Sequence, residues 1–399
     1  MEKIKRLAKK SKLFGIIVNI GFMIRAAWIS VLFMLERRHP ISNNKIVCCN
    51  TKGKNYGDNP VYVMDAFRAK HSEDFDIVWL LEDSFKGELP EGIRRVTYGS
   101  RKSIYELATA KIWLDSNMKP FGTLKRKGQT YIQTWHGSYG VKKICYDMPD
   151  KLSFIDKRDI NSNSRIEDLF VSNSKAYSEI YRRAMRYPGE ILECGSPRND
   201  MFFSQNEKCV EKIHDYFNLF GKHIALYAPT YRDDFEVEAL CMDYEKARQA
   251  LEKRFGGDWV VFVRLHPQNM KSSDSFVSYT DTVINASRYS SMQELLVASD
   301  VLITDYSSCM LDFANTRRPC FLFATDIEKY NNSRGFYYDF YDLPFPIATS
   351  NEDLERCILD YSEEQYISGI SELEKMVGLN ENGNACEQVV LYMENKLGE

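Results

Sequence analysis

Ten short apolar runs, separated by amphipathic segments, constrain this chain more than any other feature. The first six are "KIVCCN" (45–50), "FDIVWLL" (75–81), "KIWLDS" (111–116), "TYIQTW" (130–135), "DLFVSN" (168–173) and "EILECG" (190–195). Four more follow: "KHIALYAPT" (222–230), "DWVVFVRLHP" (258–267), "VLITDYSS" (301–308) and "PCFLFAT" (319–325). Near-continuous apolar runs alternating with helical segments such as "NPVYVMDAFRAK" and "SKAYSEIYRRAM" predict parallel strands covered on both faces. Two series predict an α/β protein of two doubly wound, Rossmann-like domains facing a central cleft. A polar connecting helix is expected within 203–221, which divides the chain into domains at 39–205 and 206–370. The end, 371–399, reads as helical and is expected to pack back across the domains. A length of 399 residues suits two domains.

The first 38 residues differ from the rest. Lys3, Lys5, Arg6, Lys9, Lys10 and Lys12 stand against one acid, Glu2, and are followed by "LFGIIVNIGFMIRAAWISVLFML". That stretch is about as long as a bilayer span. Arg25 and Asn19 interrupt it, which is costly in lipid. The basic start suits an anionic cytoplasmic leaflet. The expectation is an interfacial helix that makes the protein peripheral on the cytoplasmic face of the membrane, with a true span and a packed core helix as alternatives.

A net charge of −3 leaves no basic field for a nucleic acid. The ten cysteines form no CxxC pair and no zinc-ligand spacing, so reduced thiols and no bound metal or cofactor are expected.

In open parallel sheets ligands bind beyond the carboxyl ends of strands, and the chain's unusual residues fall there. His136 follows "TYIQTW". "SPRND" brings Arg198 and Asp200, "PTYRDD" brings Thr230, Arg232 and Asp233, and "RLHP" brings Arg264 and His266. In "TDYSSCMLDFANT", Thr304 and Asp305 precede Ser307 and Ser308, which stand where a helix begins. Free N–H groups and two hydroxyls there suit a phosphate, although serine is also an ordinary cap. Asp312 lies four residues beyond Ser308, placed either to accept ribose hydroxyls or to be solvated. Arginine pairs well with phosphate. Several cations without an acidic cluster suit a diphosphate neutralised by side chains and helix starts.

In order, "KGKNYGDNP" (52–60), "QTWHG…KK", "SPRND", "YAPTYRDD", "RLHP", "TDYSSCMLDFA" and "RPCFLFATDIEKYNNSRGFYYDF" resemble the CDP-glycerol glycerophosphotransferase family, the teichoic-acid primases and polymerases. The resemblance spans about residues 45–350. It implies a GT-B-like architecture with the CDP-polyol donor held mainly by the C-terminal half. It implies His136 as general base and His266 as the histidine acting on the donor phosphates. It places Asn59, Gly137, Ser138, Lys142 and Lys143 on the acceptor side. Two departures stand out: Ser138, Tyr139 and Gly140 follow "WHG", and Tyr231 occupies a position where tryptophan is common.

The expected reaction transfers a polyol phosphate, glycerol phosphate first, from CDP-glycerol, CDP-ribitol or another CDP-polyol to a hydroxyl of a lipid-linked saccharide or polyol-phosphate acceptor. CMP is released, in the synthesis of teichoic acid or a related surface polymer. Histidine is the side chain whose ordinary titration lies nearest neutrality, which suits a base. Two other readings stay open: a GT-B sugar transferase using a nucleotide-activated sugar, and a membrane-bound scaffold without activity.

Overall fold

The computed structural model describes residues 12–71, 75–137, 141–232, 240–266, 269, 277–329 and 335–398. The basic residues before Lys12, together with Ser138, Tyr139, Gly140 and Asp233, lie outside the described residues. The chain forms two units. Unit 1 comprises 1–136, 144–198 and 384–399, and unit 2 comprises 137–143 and 199–383.

Unit 1 is built on a seven-stranded parallel sheet: β1 (Ser42–Cys49), β2 (Asp76–Leu81), β3 (Ile93–Thr97), β4 (Ala110–Asp115), β5 (Thr130–Gln133), β6 (Leu169–Ser172) and β7 (Glu190–Glu193). Its order is β3-β2-β1-β4-β5-β6-β7, so the winding reverses between β1 and β4. Side chains alternate between two cores, as the strand period of two requires. Ile46, Cys48, Trp79, Leu81, Ile112 and Leu114 meet α2 (Asp58–Lys70) and α12 (Ala385–Gly398) through Val63, Phe67, Val389 and Met393. Val47, Cys49, Val78, Leu80 and Trp113 meet α3 (Arg101–Thr109) and α1 (Lys12–Glu36) through Ile104, Leu107, Leu32 and Phe33. The remaining helices of the unit are α4 (Phe154–Ile166) and α5 (Lys175–Ala184).

The α1 helix has two characters. Ala26, Phe33 and Glu36 are buried on one stripe, Phe22 stacks on Phe121 at 5.9 Å, and Ser30 donates to the Gly122 carbonyl at 2.9 Å. Gly122 (φ 97°) has no room for a Cβ, which would collide with the Ala26 carbonyl. The other face leaves Ile16, Ile17, Ile20, Ile24, Trp28 and Met34 exposed. Among the described residues, 13–36 is the one helix long and apolar enough to cross a membrane. The sequence reading that set 1–38 apart as a separate segment is therefore corrected: the last turns of α1 belong to the core of unit 1.

Unit 2 holds a six-stranded parallel sheet: β8 (Lys222–Tyr227), β9 (Asp258–Val263), β10 (Val283–Asn285), β11 (Val301–Thr304), β12 (Cys320–Phe323) and β13 (Ile347–Ala348). The order β10-β9-β8-β11-β12-β13 repeats the doubly wound plan, with reversal between β8 and β11. Its helices are α6 (Glu207–Phe217), α7 (Tyr244–Phe255), α8 (Met292–Ala298), α9 (Cys309–Ala314), α10 (Asn351–Leu359) and α11 (Glu363–Val377). The strands missing from the sequence reading, β3, β10 and β13, all lie at sheet edges. They are short, and β3 carries the exposed Arg94 and Arg95, so no apolar run marks them.

Candidate functional site

In unit 1 the strand ends at the reversal point carry the first group. His136 follows β5, and its Nδ1 lies 2.8 Å from the carbonyl oxygen of Ser116, just beyond β4. A carbonyl only accepts, so Nδ1 carries a proton, and the neutral ring keeps its lone pair on Nε2. The ring is exposed and stacks on Trp135 at 4.7 Å and 22°.

Trp135 has φ 51°, a left-handed backbone rare for an aromatic residue. Such a conformation costs about 1–3 kcal/mol and persists only where its surroundings over-determine it. Here the Trp135 N–H donates to Gln133 Oε1 at 2.9 Å, and its carbonyl accepts from Asn59 Nδ2 at 3.2 Å. Asn59 is buried, bonds Thr134 O at 3.3 Å, and accepts the Arg198 N–H at 3.0 Å. Arg198 is also buried. It pairs with Asp58 at 2.8 Å and donates to the His136 carbonyl at 3.3 Å. Asn59 thus sits as a staple beneath the His136 turn, and the Arg198 charge is answered by Asp58 within unit 1.

In unit 2 the loops after β8 and β11 are joined by buried polar contacts. Thr304 Oγ1 donates to Ala228 O at 2.6 Å, and Thr230 donates from N and Oγ1 to Asp305 Oδ1 at 2.8 and 2.6 Å. Arg232 is buried between Asp305 at 2.9 Å and Asp326 at 2.8 Å. Burial would raise the Asp326 carboxyl, but Arg232 and the Tyr306 hydroxyl hold it below the usual range. Thr230, Arg232, Thr304 and Asp305 therefore form a scaffold, and Arg232 is not the unanswered cation the sequence suggested. Asp312 is buried as well, accepting from Asn199 at 3.1 Å and Gln293 at 3.3 Å, so it is neither solvated nor open to a ribose.

Arg264 is different. Its guanidinium is half-buried and donates to the carbonyls of Tyr289 at 2.6 Å and Ala286 at 3.3 Å. Among the described residues no carboxylate pairs with it, and burial pulls it below its ordinary value. A desolvated cation facing only neutral carbonyls is a costly arrangement that a bound anion relieves. Ser308 has helical φ/ψ (−62°, −12°) and makes no side-chain cap, so its hydroxyl is not spent on α9. Ser307 Oγ accepts a long bond, 3.5 Å, from Cys309 N. His266 is exposed at the end of β9, its ring 5.3 Å from Tyr231. Lys142 pairs with Phe336 as an antiparallel bridge, Lys143 N donates to Gly335 O at 3.1 Å, and Gly137 belongs to the same unit. Among the described residues no group of three His, Cys, Asp or Glu side chains is placed to hold a metal.

The residues sequence reasoning missed are Ser116, Gln133, Asp58 and Asp326. Ser116 offers His136 its backbone carbonyl, Gln133 bonds its own strand neighbours without belonging to any motif, and Asp58 and Asp326 pair with arginines 140 and 94 positions away, so none carries a sequence signal.

Residues 31–395 match the CDP-Glycerol:Poly(glycerophosphate) glycerophosphotransferase family. The chain is 31% identical over 375 residues to a teichoic acid poly(glycerol phosphate) polymerase of Staphylococcus epidermidis, covering 90% of this chain and 52% of the relative. It is 29% identical over 357 residues to a teichoic acid glycerol-phosphate transferase of Staphylococcus aureus, covering 84% and 89%. A structure of the wall teichoic acid polymerase TagF soaked with CDPG is similar at a TM-score of 0.81, with 29% identity and 96% of either chain covered. The chain spans about half the length of the first curated relatives it matches. With two doubly wound units and the family's motifs at their strand ends, the chain belongs to the CDP-glycerol:poly(glycerophosphate) glycerophosphotransferase family.

Proposed function

We propose that this chain transfers glycerol phosphate, or another polyol phosphate, from a CDP-polyol to a hydroxyl of a lipid-linked acceptor and releases CMP. The observation that carries this reading is Arg264, a half-buried guanidinium that among the described residues has no carboxylate partner. It stands just after β9, the strand next to the pair where unit 2 reverses its winding. Family membership and the CDPG soaked into the TagF structure support reading that anion as the diphosphate of a CDP-polyol.

In this reading His136 Nε2 removes the proton from the acceptor hydroxyl. The oxygen attacks the β-phosphorus, the bond between that phosphorus and the bridging oxygen breaks, and the bridging oxygen leaves with CMP. Arg264, His266 and the Ser307–Ser308 turn meet the charge on the departing phosphate, the part of phosphoryl transfer that a protein can most assist. Lys143 and the 137–143 stretch serve the acceptor. The exposed apolar face of α1 lies in the membrane interface, which keeps the protein at the surface where a lipid-linked acceptor resides.

The test is CMP release from CDP-glycerol, CDP-ribitol and a nucleotide sugar, with a lipid-linked acceptor and mass spectrometry of the product. Turnover of a CDP-polyol supports the reading. Turnover of the nucleotide sugar alone replaces it with a sugar transferase.

A further inference from the structure

Behind the His136 turn lies a buried group that the proposed chemistry does not use. Glu167 caps the end of α4, its N–H donating to Asn163 O at 2.9 Å, and its carboxyl is buried. The Tyr181 hydroxyl donates to Glu167 Oε2 at 2.9 Å. The Tyr181 ring stacks on Phe170 at 3.5 Å and meets Trp135 edge-on at 5.9 Å. The other carboxyl oxygen, Oε1, is buried and has no hydrogen-bond partner among the described residues. Gln133 Nε2 donates to Tyr131 OH at 3.2 Å, while its Oε1 accepts the Trp135 N–H.

We propose that Glu167 is a positioning residue for His136: its carboxylate orients Tyr181, whose ring packs edge-on against Trp135, the left-handed residue from which the imidazole is presented. This inference rests on the reading of His136 as the base. The Tyr181 hydroxyl meets the carboxyl as a donor. An ionised carboxylate accepts this bond strongly and fixes the Tyr181 ring against Trp135. A protonated carboxyl accepts it more weakly and loosens that hold.

The surroundings make that switch accessible near neutrality. Burial carries the Glu167 carboxyl up to about 7, against the Tyr181 hydrogen bond that lowers it. The titratable groups facing it are Tyr181 from α5, Tyr131 from β5, Asp115 from β4, Asp168 beside it, and Tyr187 and Cys145. Asp115 is paired with Lys119 at 2.5 Å and Asp168 with Lys125, so the two nearest carboxylates are answered and Glu167 is not.

The experiment measures kcat, KM and CDP affinity of the full chain against pH for wild type, Glu167→Gln and Tyr181→Phe, with His136→Ala as reference. In the wild type the ionisation of Glu167 steepens the acid limb of kcat. Glu167→Gln removes that contribution to the slope. Both Glu167→Gln and Tyr181→Phe lower kcat at pH 8 by about tenfold, the scale expected when a catalytic group is displaced by a fraction of an ångström. CDP affinity stays at the wild-type value. A merely structural role moves the melting temperature but not the slope. A folded Glu167→Gln or Tyr181→Phe with wild-type kcat and slope overturns the inference. If His136→Ala is inactive at the same time, the base reading survives that failure. Wild-type turnover by His136→Ala overturns the base reading itself.

Discussion

The Nδ1 atom of His136 is held 2.8 Å from the Ser116 carbonyl, so one ring nitrogen is fixed as a donor and the other is left to take a proton. Replacing His136 with alanine removes that acceptor of protons while leaving unit 2 untouched. Transfer should fall by about 10²–10⁴-fold, the usual cost of losing a general base. CDP affinity, measured by calorimetry, should not change. Near wild-type CMP release from a folded variant removes His136 from the chemistry.

Arg264 and the Ser307–Ser308 turn should carry donor affinity. Hydrogen bonds to a charged group contribute roughly 1.5–3 kcal/mol each, so Arg264→Gln, or Ser307→Ala with Ser308→Ala, should weaken CDP binding by an order of magnitude or more. Unchanged CDP affinity in both variants places the nucleotide elsewhere.

Arg232 should behave differently although it stands in the same family motif. It answers Asp305 and Asp326 in a buried network, so Arg232→Gln leaves two carboxylates without their cation. Breaking a buried pair in this way costs about 3–5 kcal/mol. The expected result is a large fall in the thermal midpoint of unit 2. A variant that melts like wild type but binds CDP poorly would falsify the scaffold role.

Glu167 should make stability depend on pH. Its folded value is raised from 4.5 to about 7, so the folded state binds the proton more tightly than the unfolded chain. The contribution is fully present below pH 4.5 and is lost as pH rises through 7. The span corresponds to roughly 3 kcal/mol at most. Between pH 5 and 8 the wild type should lose stability relative to Glu167→Gln, followed by denaturant melts at each pH. Parallel curves for the two proteins rule this out.

The two faces of α1 should separate by truncation. Removing residues 1–20 takes away basic side chains and exposed apolar ones but spares Leu32 and Phe33, so the protein should fold and bind anionic liposomes less well. Removing residues 1–38 should expose the core of unit 1 and destabilise it. Ile24→Glu with Trp28→Glu, two exposed positions, should also reduce liposome binding in sedimentation assays without changing the melt. Undiminished liposome binding by both folded variants locates the membrane contact elsewhere.

Much of the architecture was legible in the sequence because its cause is local. Ten apolar runs, flanked by helical periodicity, are sufficient for two parallel sheets, since a strand buried on both faces must be apolar throughout. The edge strands β3, β10 and β13 escaped because an edge strand needs no such run. Polar clusters at strand ends pointed to His136, His266, Arg264 and the Ser307–Ser308 turn, because doubly wound sheets open their sites at carboxyl ends.

Tertiary structure decided which of those polar residues are offered and which are spent. Arg232, Arg264 and Arg198 are the same residue type at comparable strand ends. Asp305 and Asp326 neutralise the first, Asp58 the third, and among the described residues the second meets carbonyls and no carboxylate. The same holds for Asp312, which Asn199 draws inward from 113 positions away. Glu167 follows no motif, and its link to His136 runs through Tyr181 and a left-handed Trp135. The sequence alone determined the kinds of groups at the strand ends, because side-chain chemistry and strand order are local properties. Only the fold decided their charge state, orientation and availability, because each depends on a partner brought near by packing rather than by position in the chain.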